Sequence, residues 1–196
     1  MWTVESLQEF EKDIAACFER REIRAPIHLA GGNEQQLIDI FFDIKSEDWI
    51  CVQWRSHVHC LLKGVPPERL RKDIIAGHSI TLNYPEYHII SSAVAGGILP
   101  IGIGIAIAIR RSGGTNKVWC FVGDMTSYMG TYWECTRYAH GHDLPVRFVI
   151  EDNGKSVNTS TKEVWGHGKK PVANIYTEIT SSPWPHMGTG KWVEFT

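Results

Sequence analysis

The sequence predicts an α/β fold, a mostly parallel sheet of five or six strands flanked by helices. Three observations carry that expectation. The apolar run Val118-Trp119-Cys120-Phe121-Val122 closes on Gly123-Asp124, and a second run, Phe148-Val149-Ile150, is followed by Asn153. Asp124 and Asn153 lie 29 residues apart, with a helix-like stretch from about Gly130 to His140 between them. Strand, turn, helix and strand in that order make a right-handed crossover, which brings both turns to one edge of a parallel sheet. The third observation is bulk: 196 residues, 43% hydrophobic and 21% charged, suffice for one domain with a full-sized core.

From about Ser6 to Arg20, Leu7, Phe10, Ile14 and Phe18 recur at helical spacing, predicting an amphipathic opening helix that Pro26 closes off. Asn33 to Phe42 reads as a second helix, with Leu37, Ile38, Phe41 and Phe42 on one side. Trp49-Ile50-Cys51-Val52 is a short buried strand. Beyond it His57 and His59 alternate on an extended stretch, so they face opposite sides. Pro66 and Pro67 open a third helix, Glu68 to Ala76, where the missing N–H costs least. Gly96 to Ile109 mixes Gly, Ile and Ala; its length and the closing Arg110-Arg111 predict a buried helix whose glycines allow close packing. Gly113-Gly114 is a turn. Beyond Val164 the signals weaken, with five glycines or prolines between Gly166 and Pro185. Residues 1–196 therefore read as a single domain whose 166–196 portion is an irregular tail.

Several classes are excluded. A formal net charge of −2 leaves no clustered basic footprint for nucleic acid. Five cysteines without CxxC spacing, two of them in apolar runs, suit a reducing cytoplasm. The N-terminus lacks the basic-then-apolar pattern of a signal peptide. The longest apolar run, Ile98 to Ile109, is too short to span a bilayer.

The chemistry centres on the two turns. Asp124 and Asn153 are hard oxygen donors suited to Mg²⁺, an ion held by few protein groups plus substrate phosphates. Asp after a strand is also a common helix N-cap, and Asn-Gly an ordinary turn. The joint arrangement is what favours metal binding. The positive end of the helix after the acidic turn would favour a phosphate, and Lys155 is placed to offer its carbonyl to the ion. Tyr128, Tyr132 and Trp133 read as core or a subunit contact, and Lys169-Lys170 as a solvated pair. His78, His88, His140, His142, His167 and His186 show no metal-ligand spacing.

This layout resembles the thiamine diphosphate motif, which begins Gly-Asp-Gly and ends in Asn. Across about Arg24 to Thr161 the chain is similar to the alpha subunit of the decarboxylating component of 2-oxo acid dehydrogenases. The matching segments are Ile27-His28-Leu29 with Gly32-Asn33-Glu34, Trp54-Arg55-Ser56-His57-Val58-His59 with Lys63-Gly64, and Gly96-Gly97-Ile98-Leu99-Pro100 with Gly102. Leu144-Pro145-Val146 and Glu151-Asp152-Asn153-Gly154 complete the set. The resemblance implies thiamine diphosphate and Mg²⁺ as cofactors. It implies cofactor contacts from Trp54, Arg55, Ala95, Leu99, Gly123, Asp124, Met125, Thr126, Asn153 and Lys155, with Asp124, Asn153 and Lys155 on the metal. Arg55 reads equally as a surface ion pair. His57 matches the family's histidine near the cofactor and is the catalytic candidate, while His59 reads as a satisfied structural residue.

Met125 departs from the motif, standing where the family has its second Gly; a Cβ there crowds the diphosphate unless the backbone keeps an ordinary φ. The family also requires a carboxylate, usually Glu, from a second domain facing the first. No such domain is expected within 196 residues, so a complementary beta-type subunit is expected to supply it. The implied reaction is decarboxylation of a 2-oxo acid with acyl transfer. The alternatives are a transketolase-like or acyloin-forming carboligase and a non-catalytic relative, the last favoured by Met125.

Overall fold

The computed structural model describes residues 1–166, 168 and 170–195, so the expectations at His167 and Lys169 lie outside the described residues. The strands are β1 (Trp49–Gln53), β2 (Asn83–Tyr84), β3 (Ile89–Ser92), β4 (Val118–Gly123), β5 (Val146–Asp152), the short pair β6 (Lys155–Ser156) and β7 (Thr159–Ser160), and β8 (Ile175–Glu178). Six of them form one sheet in the order β2-β3-β1-β4-β5-β8, and only β2 runs antiparallel to its neighbour. The expected α/β fold is present, and β4 and β5 are neighbours in parallel register, Gly123 opposite Glu151.

Alternation along these strands sorts the core into two layers. Ile50, Val52, Trp119, Phe121 and Val149 face one layer; Cys51, Val118, Cys120, Val122, Phe148 and Ile150 face the other. The first layer is closed by α1 (Val4–Glu19), α2 (Glu34–Phe42), α3 (His57–Leu62) and α4 (Pro67–Asp73), through Leu7, Ile14, Leu37, Val58, Leu61 and Leu70. The second is closed by α5 (Ile98–Arg111) and α7 (Gly130–Gly141), with the single turn α6 (Asp124–Ser127) before α7 and α8 (Thr161–Trp165) near the site. All five cysteines are free and buried. Among the described residues no helix is long and apolar enough to cross a membrane.

Three expectations are corrected. Residues 57–62 are a helix, not an extended stretch; His57 through Leu61 are buried whichever way they point, because α3 is enclosed on all sides. α5 is buried on one side only, through Ile98, Leu99, Gly102, Ile103, Ala106 and Ile109, while Ile101 is 43% exposed. The segment beyond residue 166 is not wholly irregular, since β8 extends the sheet beside β5. Lys170 is exposed, as a solvated lysine is, and pairs with Asp152 at 2.9 Å and with Glu178 at 3.5 Å.

Candidate functional site

The carboxyl ends of β1, β4 and β5 open on one cavity, the place where parallel sheets bind ligands. Its wall contains Trp54, Arg55, Ala95, Gly123, Asp124, Met125, Thr126, Asn153 and Lys155, so these sequence candidates are brought together. Leu99 and His57 are not part of that wall. Leu99 is fully buried in α5 among the second core layer. His57 is 0% exposed, its Nδ1 3.1 Å from the Glu11 carboxylate and its Nε2 2.9 Å from the Ser79 hydroxyl. Both ring nitrogens are thus committed inside the fold, which supports a structural role where the sequence suggested catalysis.

At the acidic end, Gln53 locks the turn after β4: its Oε1 accepts from the Gly123 N–H at 2.9 Å and its Nε2 donates to Thr126 Oγ1 at 3.1 Å. Asp124 is 5% exposed and accepts a short hydrogen bond from the Thr161 hydroxyl. Burial pushes the Asp124 carboxyl up, and nearby Asp152 adds to this; the Thr161 hydroxyl and backbone N–H groups oppose it. No cation pairs with Asp124 among the described residues. Asn153 turns its Oδ1 back onto the Lys155 N–H at 3.1 Å, an Asx turn that Gly154 at φ +71° completes. Thr161 reaches Asp124 because the β6–β7 hairpin folds the chain back and α8 starts there with a Ser160/Glu163 capping box.

The helix expected from about Gly130 to His140 is α7, Gly130–Gly141, but it does not start at the acidic turn: only the four-residue α6 stands there, so a macrodipole contributes little at Asp124. Met125 lies inside α6, outside the positive-φ region, so its Cβ costs no backbone strain. Its sulfur accepts from the Trp165 indole N–H at 3.1 Å, and Trp165 stacks on Tyr128 with centroids 5.4 Å apart. Tyr132 is core, with its hydroxyl donating to the Val172 carbonyl at 2.6 Å, whereas Trp133 is 42% exposed.

Elsewhere in the wall, Arg55 is largely buried, which lowers the pKa of its guanidinium although Glu151 and Glu11 oppose the shift. Its Nη2 donates to the His186 carbonyl at 2.8 Å, and His28 Nδ1 lies 2.7 Å from the same oxygen. Arg55 therefore makes no surface ion pair among the described residues. Glu151 accepts from Asn33 Nδ2 at 2.9 Å. Its other oxygen is 3.5 Å from His59 Nε2, too long for a hydrogen bond, so fully buried His59 is not the satisfied residue that was expected. The indole N–H of Trp54 is likewise buried without a partner.

Sequence reasoning missed Gln53, Glu151, Thr161, Trp165, Trp184 and His186, all of which contact or line this site. The capping box Ser160-x-x-Glu163 was a readable signal for α8. Nothing in residue spacing marks the contact between His186 and Arg55, 131 positions apart.

Comparison with known proteins follows the same region. The alpha subunit of acetoin:2,6-dichlorophenolindophenol oxidoreductase from Cupriavidus necator is 33% identical over 165 residues, covering 79% of this chain and 50% of that protein. The pyruvate dehydrogenase E1 component subunit alpha of Porphyra purpurea is 26% identical, covering 74% of this chain and 47% of its own. Its counterpart from Rickettsia bellii is 27% identical, covering 79% and 50%. The chain thus spans about half the length of these relatives. Residues 3–166 match the family described as dehydrogenase E1 component, and the chain belongs to that family.

Proposed function

We propose that this chain is the alpha-type, diphosphate-binding half of a thiamine diphosphate- and Mg²⁺-dependent enzyme that decarboxylates a 2-oxo acid and passes on the acyl group. The observation that carries this reading is the convergence of Asp124, Asn153, Trp54 and Arg55 on one cavity at the carboxyl edge of the sheet. The residues present fit the group. Asp124 is a nearly buried carboxylate with no cation partner and a hydroxyl as its one side-chain donor among the described residues, the environment in which a divalent cation removes an unfavourable charge. Trp54 offers a buried indole N–H that lacks a protein acceptor. Asp124, the Asn153 amide oxygen and the Lys155 carbonyl would hold Mg²⁺, while Arg55 would face the phosphates. When bound, thiamine diphosphate supplies the electron sink for decarboxylation. Gln53 keeps the Gly123–Thr126 turn in place, and Thr161 orients the Asp124 carboxylate.

A beta-type subunit would contribute the carboxylate that faces the cofactor ring, because Glu151 in this cavity is already committed to Asn33. The greater similarity to the Cupriavidus protein, 33% against 26% for the Porphyra one, favours including an acyloin among the substrates. Calorimetry with thiamine diphosphate and Mg²⁺ on the chain co-expressed with a beta-type subunit tests the reading. Product analysis with pyruvate, branched 2-oxo acids and acetoin follows. Saturable Mg²⁺-dependent binding and loss of CO₂ from a 2-oxo acid are expected. Absence of any Mg²⁺-dependent heat would sink the cofactor assignment.

A further inference from the structure

Residues 179–188 form a strap that lines the cavity beside Arg55, and they lie beyond residues 3–166, the part that matches the family. The strap is tied at both ends. The Ile179 N–H donates to the Asp152 carbonyl at 2.8 Å, and the Gly188 N–H to the Ile27 carbonyl at 3.0 Å. Between those ties, among the described residues, no backbone N–H from 180 to 187 donates to another backbone group. Instead the strap leans on glycines. A Cβ on Gly32 would sit 2.6 Å from the Ser181 carbonyl oxygen, and one on Gly31 would sit 2.8 Å from Pro183. Ser182, Trp184, Pro185 and His186 then line the cavity. The His186 carbonyl takes the Arg55 guanidinium at 2.8 Å, and the His186 ring nitrogen lies 3.3 Å from the same Nη2.

We propose that this strap is a built-in competitor for Arg55: an anion entering the cavity takes the guanidinium from the His186 carbonyl and displaces the strap. Three physical points support the displacement. A charge-assisted bond from arginine to an anionic oxygen is about twice as strong as one to a neutral carbonyl. Arg55 is largely buried, so its charge gains most from a charged partner. The stretch between the ties has few backbone hydrogen bonds, the mark of a segment that opens without unfolding the rest. Residue 188, where one tie sits, is a glycine at φ +69°, outside the cavity wall. This inference rests on the proposed anion-binding role of the cavity and adds its regulation: binding there is linked to opening of residues 180–187.

The test uses the full chain with Mg²⁺ and inorganic diphosphate, following heat of binding and amide hydrogen exchange. Diphosphate is expected to speed exchange in peptides covering residues 180–188 while slowing it around Asp124 and Asn153. Gly188→Pro removes the tie to Ile27 and cannot adopt the positive φ. It is expected to bind diphosphate about tenfold more tightly than wild type, the worth of the one backbone hydrogen bond removed from the strap. Equal affinity in both proteins, or binding that leaves exchange at 180–188 unchanged or slower, overturns the strap and leaves the anion site standing. Failure of both proteins to bind diphosphate overturns the strap and the anion site together. If Gly188→Pro does not fold, the wild-type exchange measurement decides alone.

Discussion

On the proposed reading, single side chains at this site divide into those that would hold a ligand and those that hold the fold, and substitutions separate them. Asp124 keeps a carboxylate in a nearly buried place with only a hydroxyl donor from a side chain. Asp124→Asn is expected to abolish Mg²⁺-dependent binding yet raise the Tm of the metal-free chain at neutral pH by about 2–4 °C, the shift that about 1 kcal/mol gives at this size. Calorimetry and thermal melts on the same sample check both halves. His57→Ala should do the reverse. It strands Glu11, which is 2% exposed, so about 3–5 kcal/mol of stability is lost to an unpaired buried charge. Cofactor affinity of the folded fraction stays unchanged, as denaturant titration and calorimetry together would show. His28 gives a pH signature. Burial pushes its imidazole down from 6.5 to about 4; Arg55 adds to the shift and the His186 carbonyl opposes it. The unfolded chain then binds the proton more readily, so stability is full above about 6.5 and is lost as pH falls toward about 4. His28→Gln, which keeps a donor for His186, should flatten that part of a Tm–pH curve.

At the scale of elements, α5 shows how one helix serves two neighbours. Gly102 faces the sheet, where an added Cβ would lie 2.6 Å from Cys120 Sγ, while Gly104 faces open space. Gly102→Val is expected to cost about 1–3 kcal/mol by overpacking. Gly104→Ala should add up to about 1 kcal/mol from helix propensity alone. Equal effects at the two sites in chemical denaturation would refute this division of faces. The helix itself was legible because its length and its Arg-Arg end outweighed the strand propensity of isoleucine. Its exposed side was not, since a run apolar all round reads as buried. The opposite error occurred at α3. His57 and His59, two positions apart, read as opposite faces of an extended stretch, but enclosure by α1, α2 and α4 buries a short helix there. β4, β5 and the turns after them were legible because apolar runs and polar stops are local signals. β8 was not, because Ile175-Tyr176-Thr177-Glu178 lacks a clear pattern and becomes a strand only by pairing with β5. For the same reason the Thr161 and His186 contacts at the site lay beyond sequence reading: each needs a chain reversal that spacing does not encode.

Across the whole molecule, the cavity and the exposed apolar side of α5 point to one assembly. Ala95 lines the cavity and is exposed, and beside it Val94 is 66% and Ile101 43% exposed. The apolar surface therefore runs from the cavity mouth along the helix, an arrangement that suits a partner completing the site while covering the face. A stable contact needs on the order of 1,000 Å² in total, more than these few residues supply, so α7 with exposed Trp133 and Tyr138 is expected to contribute. Ile101→Asp should then leave the Tm of the isolated chain nearly unchanged, because the side chain is already half in water. It should abolish co-purification with a beta-type subunit and with it 2-oxo acid turnover, as read by light scattering and a CO₂-release assay. Turnover by the wild-type chain alone would defeat this prediction. It would mean that Glu151, the other carboxylate in the cavity, leaves Asn33 to serve the cofactor, and Glu151→Gln would then extinguish the activity.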